Sequence, residues 1–268
     1  MLYMYGMKLG LKLLFRGKIK QSLRYLIIPV NYWRTKEFQI VWNEIDAQSS
    51  DRILDIGSPK LLSLFLAENI GAEVFSTDIE DYFVRDYSFI RQMMNISSGK
   101  FHVQVEDGRK LSFTDNYFNK IYSISVIEHI PGNGDAECVK EIGRVLSKGG
   151  TCAITVPFSP VSKDEFKEGD FYWAKSSTSS NDGKVFFQRR YSEEDLHNRL
   201  IKPSGLKLKK LQYVGENVMA NSKNELDEYL SPFLGPIHPL MSKLFHTEPV
   251  DSWKSIKKPL CALIVLEK

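Results

Sequence analysis

Four clusters able to do chemistry end runs of β-type residues: Asp55-Ile56-Gly57-Ser58, Asp78-Ile79, Asp107-Gly108, and Ser125 through Glu128-His129. A carboxylate at the carboxyl end of a parallel strand accepts hydrogen bonds from a cationic or hydroxylated ligand, and a glycine beside it lets the backbone approach that ligand closely. Asp78 follows Asp55 by 23 positions, where a carboxylate on the second strand of such a sheet takes two ribose hydroxyls. His129 adds an imidazole that can move a proton near neutral pH; the alternative is a structural histidine fixing the loop. Glu128 reads as a cap for the turn that follows.

The elements that must hold these groups follow from the pattern around them. Strands are predicted at Arg52 to Ile56, Glu73 to Thr77, Phe101 to Val105, Lys120 to Ile124 and Thr151 to Val156, with helices at 59–69 and 135–146 and a tight turn at Gly149-Gly150. This alternation is that of βαβ units around a parallel sheet. Residues 206–214 and 260–267 read as two final strands. Between them and the core lies an insertion, with the polar run Ser176 to Ser180 and then Phe187-Gln188-Arg189-Arg190-Tyr191, after which Ser192 caps a helix with an acidic first turn. The expected organisation is an arm (1–48), a ligand-binding core (49–157), a cap (158–205) and closing strands (206–268).

Over residues 51–157 the sequence resembles the class I methyltransferase family, in its small-molecule, type 11-like branch that includes the ubiquinone and menaquinone biosynthetic enzymes. That resemblance implies a Rossmann-like α/β fold, a seven-stranded sheet with helices on both faces, and S-adenosylmethionine as cofactor. It implies that Asp55, Gly57 and Ser58 hold the methionine end, Asp78 and Ile79 the ribose, and Asp107 and Gly108 the adenine. Ser125 lies in the segment Ile124 to His129, which is similar to the family's fourth-strand signature, and Arg144 to Gly150 is similar to its turn into the fifth strand. A departure stands at Asp55-Ile56-Gly57-Ser58-Pro59-Lys60-Leu61, where the second and third glycines of the family's loop are missing. Pro59 supplies no N–H and restricts Ser58. The loss also disfavours a dinucleotide, whose pyrophosphate needs a glycine-rich helix start.

Methyl transfer to a small or amphipathic, lipid-linked acceptor is the expected activity, with His129 and then Tyr191 as candidate bases. Arg189 and Arg190 could clamp an anionic acceptor or form ordinary surface ion pairs, and Trp173 could line the acceptor pocket or pack the insertion. No metal is expected, since Ser125 stands where some relatives place the first glutamate of E-x-x-E-H. The rival reading is a non-catalytic protein on the same fold that binds cofactor or docks on a partner or membrane.

Composition bounds the rest. The chain has 268 residues, 43% apolar and 26% charged, which is ordinary for a globular protein. Its three dispersed cysteines fit reduced, buried thiols, and the absence of a long apolar run makes the cytoplasm the expected location. The net charge of +3 divides into +8 over residues 1–36 and −5 over the remainder, which disfavours nucleic acid as a partner of the body. Within the arm, Lys8, Lys12, Arg16, Lys20 and Arg24 recur every four residues beside Leu11, Phe15, Ile19, Leu23 and Ile27. One amphipathic helix ending at Pro29 is predicted, either folded over the cleft with its leucine stripe packed inward or lying through residues 8–28 on an anionic membrane surface. A second helix is predicted over 35–48.

Overall fold

The computed structural model describes residues 1–168, 183–216 and 235–268. Seven strands form one sheet in the order β3-β2-β1-β4-β5-β9-β8: β1 (Arg52–Ile56), β2 (Glu73–Asp78), β3 (Phe101–Val105), β4 (Phe118–Ile124), β5 (Leu146–Pro157), β8 (Lys207–Glu216) and β9 (Lys258–Glu267). The first five run parallel, and β9 inserts antiparallel between β5 and β8. The order reverses at β1 and β4, so their carboxyl ends flank the crevice where such sheets bind ligands. Gly149, with φ +72°, makes its turn inside β5, where the register with β4 slips between Phe118 and Lys120.

Alternation along each strand divides the core. Ile53, Val74, Tyr122 and Ala153 face helices α3 (Tyr32–Ile45), α4 (Leu61–Phe65) and α5 (Tyr82–Met94), while Leu54, Phe75, Ile121 and Ile154 face α6 (Gly134–Val145). Each isoleucine, leucine, valine or phenylalanine buried here contributes roughly 1.5–3 kcal/mol. Helix α3 starts three residues before the expected position because Asn31 caps it, accepting from the Arg34 N–H at 2.8 Å. Helix α5 escaped the sequence reading, although Phe83, Ile90 and Met94 bury one face of it at helical spacing.

The arm is two helices rather than one. Helix α1 (Leu2–Phe15) stops at Gly17, whose φ of +72° lets Lys18 N–H reach back to Leu13 O at 3.0 Å, and α2 (Ile19–Ile27) returns along it. Ser22 Oγ donates to Gly10 O at 2.9 Å across the hairpin. The stripe that packs inward is Leu2, Tyr5, Leu9 and Leu13. The expected stripe of Leu11, Phe15, Ile19, Leu23 and Ile27 is exposed.

After β5, strands β6 (Lys163–Lys167) and β7 (Val185–Arg190) form a separate antiparallel hairpin. Short helices α7 (Glu193–Asp195) and α8 (Lys202–Ser204), joined by a wider turn, lead into β8; Ser192 Oγ accepts from Asp195 N–H at 3.3 Å, the expected cap. Helix α9 (His238–Phe245) packs against α3.

Candidate functional site

A cavity of about 720 Å³ opens at the carboxyl ends of β1 and β2, large enough for a cofactor-sized molecule. Gly57 forms its floor at φ +65°, with its N–H donating to Thr77 O at 3.0 Å. A Cβ there would come within 2.6 Å of Val126 Cγ1, so only glycine keeps this backbone open to a ligand. Ser58, Asp78, Ile79, Gly108 and Ser125 also line the cavity. Asp78 is partly exposed, with its Oδ1 accepting from Glu80 N–H at 3.3 Å.

Asp55 does not line the cavity. It is fully buried beneath the loop, where its carboxylate accepts from Ser58 N–H at 3.0 Å, from Ser76 Oγ at 2.9 Å and from Ser63 Oγ. Burial raises its pKa, while Lys60 and these hydrogen bonds oppose the rise. Lys60 lies between Pro59 and Leu61, the two positions of the missing glycines, and sequence reasoning gave it no role. Its ammonium donates to Thr77 O at 2.7 Å, and lies 3.6 Å from Asp55 Oδ2, 3.7 Å from Asp78 Oδ2 and 4.4 Å from the centre of the Phe83 ring. A buried lysine thus stands between the first two acids of the site.

Asp107 faces Arg109 rather than the cavity. The guanidinium binds both carboxylate oxygens, at 2.7–3.1 Å, and holds the Asp107 pKa below its ordinary value. Its neighbours Glu106 and Gly108 reach the cavity instead.

Ser125, Arg34 and His129 are shared with a second cavity of about 400 Å³, whose walls include Trp33, Glu128, Phe187, Leu260 and Cys261. Ser125 adopts φ +48°, a left-handed conformation unfavourable for a non-glycine residue and held here by hydrogen bonds. Its N–H donates to Thr155 O at 3.0 Å and its hydroxyl to Glu37. Glu37 also accepts from Thr155 Oγ1 at 3.1 Å and from Arg34 Nη1 at 2.6 Å, which bolts α3 across the ends of β4 and β5. Glu37 was legible only as the first acid after a long basic run.

Glu128 is 1% exposed, and its Oε2 has no hydrogen-bond partner among the described residues. Burial pushes its pKa up to about 8. His129 donates through Nδ1 to Phe187 O at 2.7 Å, which leaves Nε2 as the basic atom, 3.8 Å from Glu128 Oε1. Burial holds the His129 pKa below its ordinary value, so near neutral pH the imidazole is neutral and the carboxyl is close to its titration point. These two groups can accept or hand on a proton at the cavity wall. Among the described residues, no three histidine, cysteine, aspartate or glutamate side chains gather to hold a metal ion.

The insertion residues lie otherwise than the sequence suggested. Tyr191 is completely buried, lines neither cavity, and its hydroxyl donates to Asp135 Oδ2 at 3.0 Å; burial holds its pKa well above the ordinary value. Arg189 spends its guanidinium on Asp135 (2.7 Å), Asp164 (2.8 Å) and Gly132 O (3.4 Å), which fastens the β6–β7 hairpin to α6 and leaves no fork for an acceptor. Arg190 lines the second cavity, but its Nε is bonded to Glu165 at 2.8 Å. Trp173 lies outside the described residues.

Comparison with known proteins fits this geometry. A family model described as a methyltransferase domain matches residues 54–154. Among solved structures, the [4+2]-cyclase SpnF is similar with a TM-score of 0.57 at 15% identity, over 88% of this chain and 80% of that one. An S-adenosylmethionine-dependent methyltransferase from Methanosarcina mazei gives 0.53 at 19% identity, over 85% and 96% respectively. Geranyl diphosphate methyltransferase in complex with S-adenosylmethionine gives 0.54 at 9% identity, over 87% and 85%. At these identities the likeness is one of fold. No curated protein sequence matches the chain.

Proposed function

We propose that this class I S-adenosylmethionine-dependent methyltransferase, whose residues 54–154 match a methyltransferase domain, methylates a small or amphipathic, lipid-linked acceptor held in the second cavity. The carrying observation is that the two cavities share Arg34, Ser125 and His129, so a molecule in one meets a molecule in the other at the end of β4. In this reading residues 1–48 are arm and lid, 49–157 bind the cofactor, 158–205 cover the acceptor, and 206–268 complete the sheet.

Gly57, Ser58, Ile79 and Gly108 hold the cofactor by close backbone approach, and the Asp78 carboxylate accepts from its ribose. When bound, the cofactor supplies an electrophilic methyl group. The protein's share is to align the acceptor atom with that methyl and to exclude water, an arrangement that can contribute about 7–11 kcal/mol when the geometry is fully set. Trp33, Phe187 and Leu260 provide apolar walls for an amphipathic acceptor, and Glu128 supplies a buried oxygen to orient a hydroxyl or amine. His129, with Glu128 beside it, takes the acceptor's proton. Contact of residues 8–28 with a membrane belongs to the same reading, since a lipid-linked acceptor has to be reached where it resides.

Calorimetric titration with S-adenosylmethionine and S-adenosylhomocysteine tests the cofactor site. Micromolar binding that is lost in Asp78→Ala supports it, whereas no binding of either ligand returns the non-catalytic alternative. Transfer of radiolabelled methyl to lipid-extractable or aqueous acceptors then separates the lipid-linked reading from a freely diffusing one.

A further inference from the structure

We propose that the α1–α2 hairpin is an anionic-membrane docking element, which presents its tip to the bilayer while the other side of α2 forms part of the cofactor-cavity wall. This deepens the lipid-linked reading above and rests on it for the purpose of docking, though not for docking itself.

The hairpin tip is fully outward. Residues 14–20 are all exposed, with Phe15 at 87% and Ile19 at 60%. Met4, Leu11, Leu14, Leu23 and Ile27 extend the exposed apolar surface along both helices. Interleaved with them are Lys12, Arg16, Lys18, Lys20 and Arg24, and no acidic residue precedes Glu37. Of the hairpin's cations only Lys8 is held by a carboxylate among the described residues, at 2.8 Å from Glu68. Where α2 ends, a second patch begins: Gly235 packs against the Ile27 backbone, and Ile237, Leu240 and Leu244 are exposed beside Lys243. Apolar side chains ringed by cations match the two layers of a membrane interface, acyl chains below and anionic headgroups above. A second copy of the chain is a poor occupant, because two hairpins, each with six basic residues and no acidic one, would repel. No helix among the described residues is long and apolar enough to cross the membrane, so the contact is peripheral.

The same helix reaches the site. Gln21, Arg24, Tyr25 and Ile28 line the cofactor cavity, and Tyr25 and Tyr87 bring their hydroxyls within 3.4 Å across it. Docking through the tip therefore places the cavity mouth at the headgroup layer.

The test is co-sedimentation of the full chain with vesicles of phosphatidylcholine alone and with about a third phosphatidylserine, roughly fivefold in partitioning being expected for each basic residue near the surface. The expected result is binding to the anionic vesicles, weakened at least about tenfold in Phe15→Ser/Ile19→Ser and in Arg16→Glu/Lys20→Glu, and released by high salt. Both variants lie on exposed positions outside the cavities and are expected to keep cofactor affinity in solution. Equal binding to neutral vesicles, no binding to either, unchanged binding by both variants, or a stable dimer that buries the hairpin would each overturn the proposal. Vesicle binding without methyl transfer to any lipid-extractable acceptor leaves docking standing and sinks the lipid-linked acceptor; transfer to such an acceptor without vesicle binding does the reverse.

Discussion

Replacing Lys60 with methionine keeps the side chain's bulk and removes its charge from between Asp55 and Asp78. Two unit charges at the observed 3.6 Å attract by about 4–5 kcal/mol at an effective dielectric near 20. Removing a buried ammonium recovers part of its desolvation cost, and Asp55 keeps its serine hydrogen bonds, so a net loss of about 3 kcal/mol is expected. For a chain of this size that lowers Tm by roughly 6–12 °C. The loss should depend on pH. The Asp55 pKa is raised above its unfolded value of 3.8, so the folded state holds a proton that the unfolded state releases, and stability falls as pH rises through that window. Lys60 opposes the rise; without it the window widens, and the gap between variant and wild type should be larger at pH 8 than at pH 5. Differential scanning calorimetry at both values reads the effect. A K60M protein melting within a degree or two of wild type at pH 8, or showing the same deficit at both pH values, would refute a charge-holding role for Lys60.

Glu128→Gln is expected to lower methyl transfer with cofactor affinity unchanged, because it removes the ionisable carboxyl beside His129, and to abolish a rise in rate with pH centred near that carboxyl's pKa of about 8; a retained limb would separate Glu128 from the proton transfer. Because that carboxyl is protonated in the fold where the unfolded chain ionises it, E128Q should also gain relative stability as pH rises from about 4.5 towards 8, as thermal melts across that range would show. Arg189→Ala should cost about 2–4 kcal/mol of stability, since Asp135 stays fully buried and keeps, among the described residues, only Arg199 as its cation, yet leave acceptor KM unchanged. Melting and saturation curves measured together distinguish this tie from an acceptor clamp, which would raise KM.

The positions of the parallel strands along the chain and the glycine turn that ends the first of them were legible in the sequence, because both rest on local rules. Alternation of short β-type runs with helical stretches announces a parallel sheet, and a glycine after a strand announces a backbone that must turn where a Cβ would clash. The final two strands were legible for the same reason, as were the Ser192 cap and the stop at Pro29. What tertiary structure decided was which side chain each charged group meets. Asp55, Asp78 and Asp107 look alike in sequence, but they are respectively buried under a loop, open to the cavity and held by Arg109. The arginine pair reads as a clamp until Asp135, 54 positions before Arg189, comes to meet it. Glu128 reads as a turn cap until burial removes its solvent and raises its pKa. The arm shows the limit most plainly. A four-residue period records that a stripe exists, and both Leu9–Leu13 and Leu11–Phe15 satisfy it, but only the turn at Gly17 and the packing of α1 on the body determine that the second stripe is left facing outward. Periodicity is a property of one helix; burial is a property of what that helix lies against.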